Sequence, residues 1–242
     1  MRAVTLPRNV TDSSTPRYGN RAAVLVLVVA TLVVFLAVFI TRFVETFPYT
    51  LTSEVASQPR VVLAGTGGTE TVIHLETVGA ISDAIDFPKP SDPHQDWVSY
   101  LPTTTFKVPA NSVVTMVIDQ EDSASGLRNP FWAKAQGIIG PFHMKYYDQN
   151  GNPQEGDFTQ LDDASTPAHT FAIPDLGVFV PLLGISDAAP AGSINTITFS
   201  FRVGKAGTYH WQCFVPCGSG TIYGNGGPMQ TLGYMGGFLV VQ

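Results

Sequence analysis

Ile197-Thr-Phe-Ser-Phe-Arg-Val203 and, just after it, Gly207-Thr-Tyr-His-Trp-Gln-Cys213 decide the fold. In the first stretch, apolar Ile197, Phe199, Phe201 and Val203 alternate with Thr198, Ser200 and Arg202. A period of two marks a strand buried on one face. In the second, the pleat puts Tyr209, Trp211 and Cys213 on one face and His210 and Gln212 on the other. Cys213 is therefore expected to point inward with two aromatics, and His210 away. Working outward, Thr71–Val78 and Asn111–Asp119 also read as strands, the latter after the turn signal Pro109-Ala-Asn. Clusters of turn residues, as at Asp86–Pro93 and Asp148–Pro153, separate such runs. Short strands, no internal repeat and no amphipathic helix after residue 41 predict an antiparallel sandwich or barrel. Glu121–Gln160, rich in Gly and Asn, reads as an insertion loop over one end of it.

Upstream, Ala22–Thr41 carries no charge. About 20 apolar residues span a bilayer as a helix, and a cleaved signal peptide has a shorter apolar core ending in small residues. Phe39, Ile40, Thr41 and Arg42 stand where those small residues would be, so the run reads as an uncleaved anchor. Arg2, Arg8, Arg17 and Arg21 precede it. The positive-inside rule then predicts a cytoplasmic tail (1–21), an anchor (22–41), a tether (42–60) and an extracytoplasmic domain (61–242). The expected location is the cell membrane, crossed once. The chain has 13 Lys or Arg and 19 Asp or Glu, a net charge of −6. That acidic balance argues against nucleic acid or anionic lipid as partners.

Cys213 and Cys217 are the only cysteines in the chain, in Cys213-Phe-Val-Pro-Cys217-Gly218. A Gly-rich loop with Met229 and Met235 follows, and then the apolar run Phe238–Gln242. Thiolates and thioethers crowded between two strands form a soft donor set that suits copper. Outside the cytoplasm, two cysteines also suit a disulfide. Asp162 and Asp163 lack the companion Ser, His or Lys of an acid–base enzyme, and no phosphate loop or nucleophile motif occurs. Nothing points to a catalyst acting alone. His74, His94 and His210 read as surface or supporting residues.

Two segments together resemble cytochrome c oxidase subunit II. Pro167-Ala-His169-Thr-Phe-Ala-Ile-Pro-Asp-Leu-Gly177 resembles the strand and loop bearing that family's first copper histidine. Gly207–Gly218 resembles the part in which two cysteines bridge copper at Cys-x-x-x-Cys spacing. Gly233-Tyr-Met235-Gly-Gly is similar to the loop end of cupredoxins, where the axial Met precedes the last strand. The resemblance covers roughly the last 80 residues. It implies an all-β, cupredoxin-like Greek-key β-sandwich with one N-terminal transmembrane helix. It also implies copper held by His169, Cys213, Cys217 and Met235, and one-electron transfer between a cytochrome donor and the subunits of a respiratory haem–copper oxidase. The chain departs from the family in one respect: no His follows His210. A two-copper centre therefore does not carry over whole. Three arrangements remain open at this point. One copper sits on the four named residues; or His143 supplies a second imidazole; or a Cys213–Cys217 disulfide replaces the metal in a structural or assembly module. A copper-delivery protein would use the same ligands, but exposed.

Overall fold

The computed structural model describes residues 18–45, 60–62, 69–83, 96–218, 227–229 and 231–242. The expected tail before residue 18, most of the tether, His94 and the middle of the loop after Cys217 lie outside them. The chain divides into two compact units, Met1–Pro48 and Tyr49–Gln242. In the first, one helix, α1, runs from Tyr18 to Glu45, and its Arg21–Ile40 stretch is long and apolar enough to cross a membrane.

The second unit is the all-β sandwich expected from the strand pattern. Its strands are β1 (Arg60–Val62), β2 (Thr69–Val78), β3 (Ser99–Leu101), β4 (Thr105–Val108), β5 (Val113–Gln120), β6 (Phe142–Tyr147), β7 (Pro153–Phe158), β8 (Pro167–Ile173), β9 (Val178–Leu183), β10 (Asn195–Arg202), β11 (Gly207–Gln212) and β12 (Gly236–Val241). One sheet has the order β1-β2-β5-β10-β6-β7, with β3 also on β2; the other is β4-β12-β11-β8-β9. Most pairs are antiparallel. Two are not: β2 runs parallel to β5, and β4 to β12. The chain changes sheet on either side of β4, so β5 and β12 return pointing the same way as their neighbours. Period-two patterning identifies strands but carries no information on this direction.

The alternation in β10 is realised side chain by side chain, with Ile197, Phe199 and Phe201 buried and their neighbours half-exposed or exposed. Trp211 is the centre of the core. Its indole stacks on Phe171 (centroids 4.9 Å apart) and Phe106 (5.6 Å) and meets the edge of Tyr100 (4.9 Å). Its Nε1–H donates to the Thr104 carbonyl at 2.9 Å, so the one polar atom of the ring is satisfied. Truncating such a buried ring costs about 3–5 kcal/mol. β12 passes Thr104 so closely that a Cβ on Gly237 would fall 1.9 Å from its carbonyl oxygen.

The reading of Glu121–Gln160 as a loop is corrected. It contains the β6–β7 hairpin, paired from Phe142↔Phe158 to Tyr147↔Pro153, which widens the first sheet beyond β10. The turn is built by Asp148, whose carboxylate accepts the Asn150 and Asn152 N–H groups at 2.8 and 2.9 Å. Gly151 follows with φ +77°, a conformation open mainly to glycine.

Candidate metal centre

Two neighbouring strands of the second sheet bring the site together. β8 carries His169, and β11 ends at Gln212, opposite Ala172, so that Cys213 emerges beside Thr170. His169, Cys213 and Cys217 are all buried, and one donor atom from each lies within 4.8 Å of the others. Nδ1 of His169 is 2.8 Å from Cys217 Sγ, and the two sulfurs are 3.2 Å apart. A disulfide bond is about 2.05 Å long; here both cysteines are free.

Backbone geometry fixes the sulfurs. After β11 the chain turns tightly, with the Cys217 N–H on the Val215 carbonyl at 2.7 Å. The Cys217 thiol points at the same carbonyl, 3.0 Å away. Cys213 Sγ receives the Thr170 N–H at 3.3 Å and the Thr170 hydroxyl at 3.8 Å. That hydroxyl in turn accepts the Phe214 N–H at 2.8 Å. Met235 is joined to the site through its backbone, since its carbonyl accepts the Cys213 N–H at 2.8 Å. Its side chain is buried in the same apolar cluster as both cysteines, and Met229 is half-buried against that cluster.

Asp122, two residues beyond β5, approaches the imidazole from behind. Its Oδ2 lies 3.2 Å from His169 Nε2. This is ion-pair distance, although the angle leaves Nε2 without a hydrogen bond. Burial opposes charge on His169, but Asp122 and the Cys213 thiolate outweigh it and raise the His169 pKa to about 9. Burial opposes the charge on Cys213 too. Cys217, the neighbouring His169 charge and the Thr170 N–H prevail and hold that thiol well below its ordinary value. Its hydrogen bond to Cys213, and then burial, push the Cys217 thiol up. The imidazole touches Cys217, while Cys213 gathers more donors. Two sulfurs this close titrate as a pair.

The donor set fits a soft metal ion. Two sulfurs and one imidazole nitrogen converge in a buried space. Soft sulfur with one imidazole favours copper over hard cations.

The expected residues differ in where they fall. His169, Cys213 and Cys217 meet as the motifs imply. His210 is exposed, its ring against Phe238, as the pleat predicts. His143 does not join them: it sits on β6, with Nδ1 2.9 Å from Asp157 and Nε2 3.0 Å from Glu155. The alternative in which it supplies a second imidazole finds no support in this placement, since both ring nitrogens face carboxylates of the adjacent strand. Asp122 and Thr170 were not anticipated. Asp122 lay in the stretch read as a loop, and Thr170 resembles any strand threonine.

No family description and no curated protein matches this sequence. Solved structures that it resembles include rusticyanin from Thiobacillus ferrooxidans, at 14% identity over 72% of this chain and 77% of that one, with a TM-score of 0.29. Auracyanin B matches at 14% identity over 78% and 96%, with a TM-score of 0.28. A chain from a haem–copper terminal oxidase dimer matches at 15% identity over 93% and 100%, with a TM-score of 0.24.

Proposed function

We propose that the protein is a membrane-anchored copper-binding electron carrier, a subunit or partner of a respiratory haem–copper oxidase, with its β-sandwich outside the cytoplasm. The observation that carries this reading is the buried convergence of His169, Cys213 and Cys217 beside Met235. Copper, when bound, supplies reversible one-electron exchange. The protein's residues supply the rest. His169 and the two thiols present one nitrogen and two sulfurs, with Met235 as the thioether. Thr170 steadies Cys213 through two donors, and the aromatic floor of Tyr100, Phe171 and Trp211 excludes water. Burial of every ligand argues against copper delivery, which needs exposed ones. The acidic surface suits a basic donor protein.

The 3.2 Å approach of the sulfurs supports one other reading, a copper-less module closed by a disulfide on oxidation. Metal analysis and a visible spectrum of the full chain in detergent separate the two. Bound copper with strong thiolate-to-copper absorption is expected. A colourless, metal-free protein two protons lighter than its reduced mass would establish the disulfide module instead.

A further inference from the structure

We infer that Asp122 is a positioning residue for the metal site, holding the His169 imidazole so that Nδ1 faces the sulfurs while its carboxylate sets a negative charge behind the ring. This rests on the copper reading above. It starts from how firmly Asp122 is placed. Its carbonyl accepts the Ile185 N–H at 2.9 Å and the Gln120 side-chain amide at 2.7 Å. Its Oδ1 accepts the Ser123 N–H at 2.7 Å. Gly79 leaves room on the other side, since a Cβ there would meet Oδ1 at 3.2 Å. With the backbone carbonyl held by Gln120 of β5 and by Ile185 just after β9, and one carboxylate oxygen committed, the remaining oxygen, Oδ2, is the one directed at Nε2, 3.2 Å away.

The histidine needs such a partner. Its side chain is 2% exposed, and Nε2 has no hydrogen-bond acceptor in the present ring orientation. With Nδ1 given to a metal, the ring proton must sit on Nε2, where the only carboxylate described within ion-pair distance is that of Asp122. A histidine ligand whose second nitrogen donates to a carboxylate is fixed in tautomer and orientation and becomes a stronger donor; losing that carboxylate weakens metal binding by about 10- to 100-fold. A fixed negative charge at that place also favours the more positive oxidation state of the metal, so it lowers the reduction potential. The Asp122 side chain is 33% exposed, which leaves its charge partly screened and the effect on potential graded.

The test uses the full chain in detergent with copper ions, comparing Asp122→Asn and Asp122→Ala. Asn keeps an acceptor and removes the charge. Asp122→Asn should bind copper with the stoichiometry of the unmodified chain and show a raised reduction potential. Asp122→Ala should lose about 10- to 100-fold in copper affinity. A second readout needs no metal: the His169 Nε2–H signal in nitrogen-15 histidine NMR should be slow to exchange in the unmodified protein and in Asp122→Asn, and fast in Asp122→Ala. Unchanged potential, affinity and exchange in both variants would reduce Asp122 to a loop-forming residue, with the copper reading intact. If the unmodified chain binds no copper, the function reading falls, and the metal-free exchange measurement alone decides the role of Asp122.

Discussion

Thr170 and Cys213 are joined twice, by a backbone N–H at 3.3 Å and by a hydroxyl at 3.8 Å from the same sulfur. The first tie belongs to the strand and survives any substitution that keeps β8. The second belongs to the side chain and can be removed alone. Thr170→Val, which keeps shape and deletes the hydroxyl, should leave copper bound and shift its thiolate absorption and potential. It also strands the Phe214 N–H, so a loss of about 1–3 kcal/mol in unfolding free energy is expected. An unchanged spectrum would show that the hydroxyl contributes nothing at the sulfur.

Cys213→Ser should abolish the visible absorption, because the oxygen cannot replace a soft thiolate. His210→Ala should leave it, since that ring lies on the outer face of β11 against Phe238. Loss of colour in the His210 variant would overturn the assignment of faces.

Copper affinity should climb with pH. Below about pH 9 the metal-free site holds a proton on His169 and another on Cys217, and a metal must displace both. Above that value His169 no longer holds its proton, and the slope should flatten. Competition titrations against a chelator of known affinity, run from neutral to alkaline pH, measure this. A slope that continues unchanged through about pH 9 would rule out ligation by His169, because loss of the Cys217 proton alone would supply it.

His143 titrates apart from this site. The hydrogen bond to Asp157 raises its pKa above the ordinary imidazole value; burial opposes this, and Glu155 adds to the rise. A raised pKa in the folded state means that its contribution to stability is fully present below about pH 6.5. It is lost as pH rises through the folded value. NMR should place the His143 midpoint above that of a free imidazole, and His143→Gln should leave copper stoichiometry unchanged. A change in stoichiometry would restore His143 as a ligand.

Gly237→Ala should destabilise the sandwich by about 1–3 kcal/mol or more, since backbone rather than a flexible side chain opposes the new methyl. Denaturant unfolding of the full chain checks it; a neutral result would mean that β12 can move off Thr104.

The strands that face the core were legible because one face of each is apolar: β10 alternates almost without exception, and β11 assigns Cys213 and His210 to opposite sides. The cluster of His169, Cys213 and Cys217 was legible because each residue lies in a motif with its own spacing. β7 was not. Pro153-Gln-Glu-Gly-Asp-Phe158 is an edge strand with no buried residue, so burial leaves no trace in its composition. Asp122 was hidden for a different reason. Its meaning comes from His169, which only the packing of one sheet on the other brings near, and no local pattern encodes that distance.

The same edge strand has a consequence for life at high surface density. β7 closes the wider sheet with Glu155 and Asp157 on its flank, a proline at its first position and a glycine in its middle. An open strand edge is a template on which a second copy can add its own strand and begin an aggregate. Charge and proline spoil that template. If α1 anchors the chain as proposed, copies of this domain would crowd on a bilayer and meet at such edges more often than in dilute solution. The proline at the head of β7 and the charges along it, even with Glu155 and Asp157 paired to His143, make this edge a poor template for a second copy.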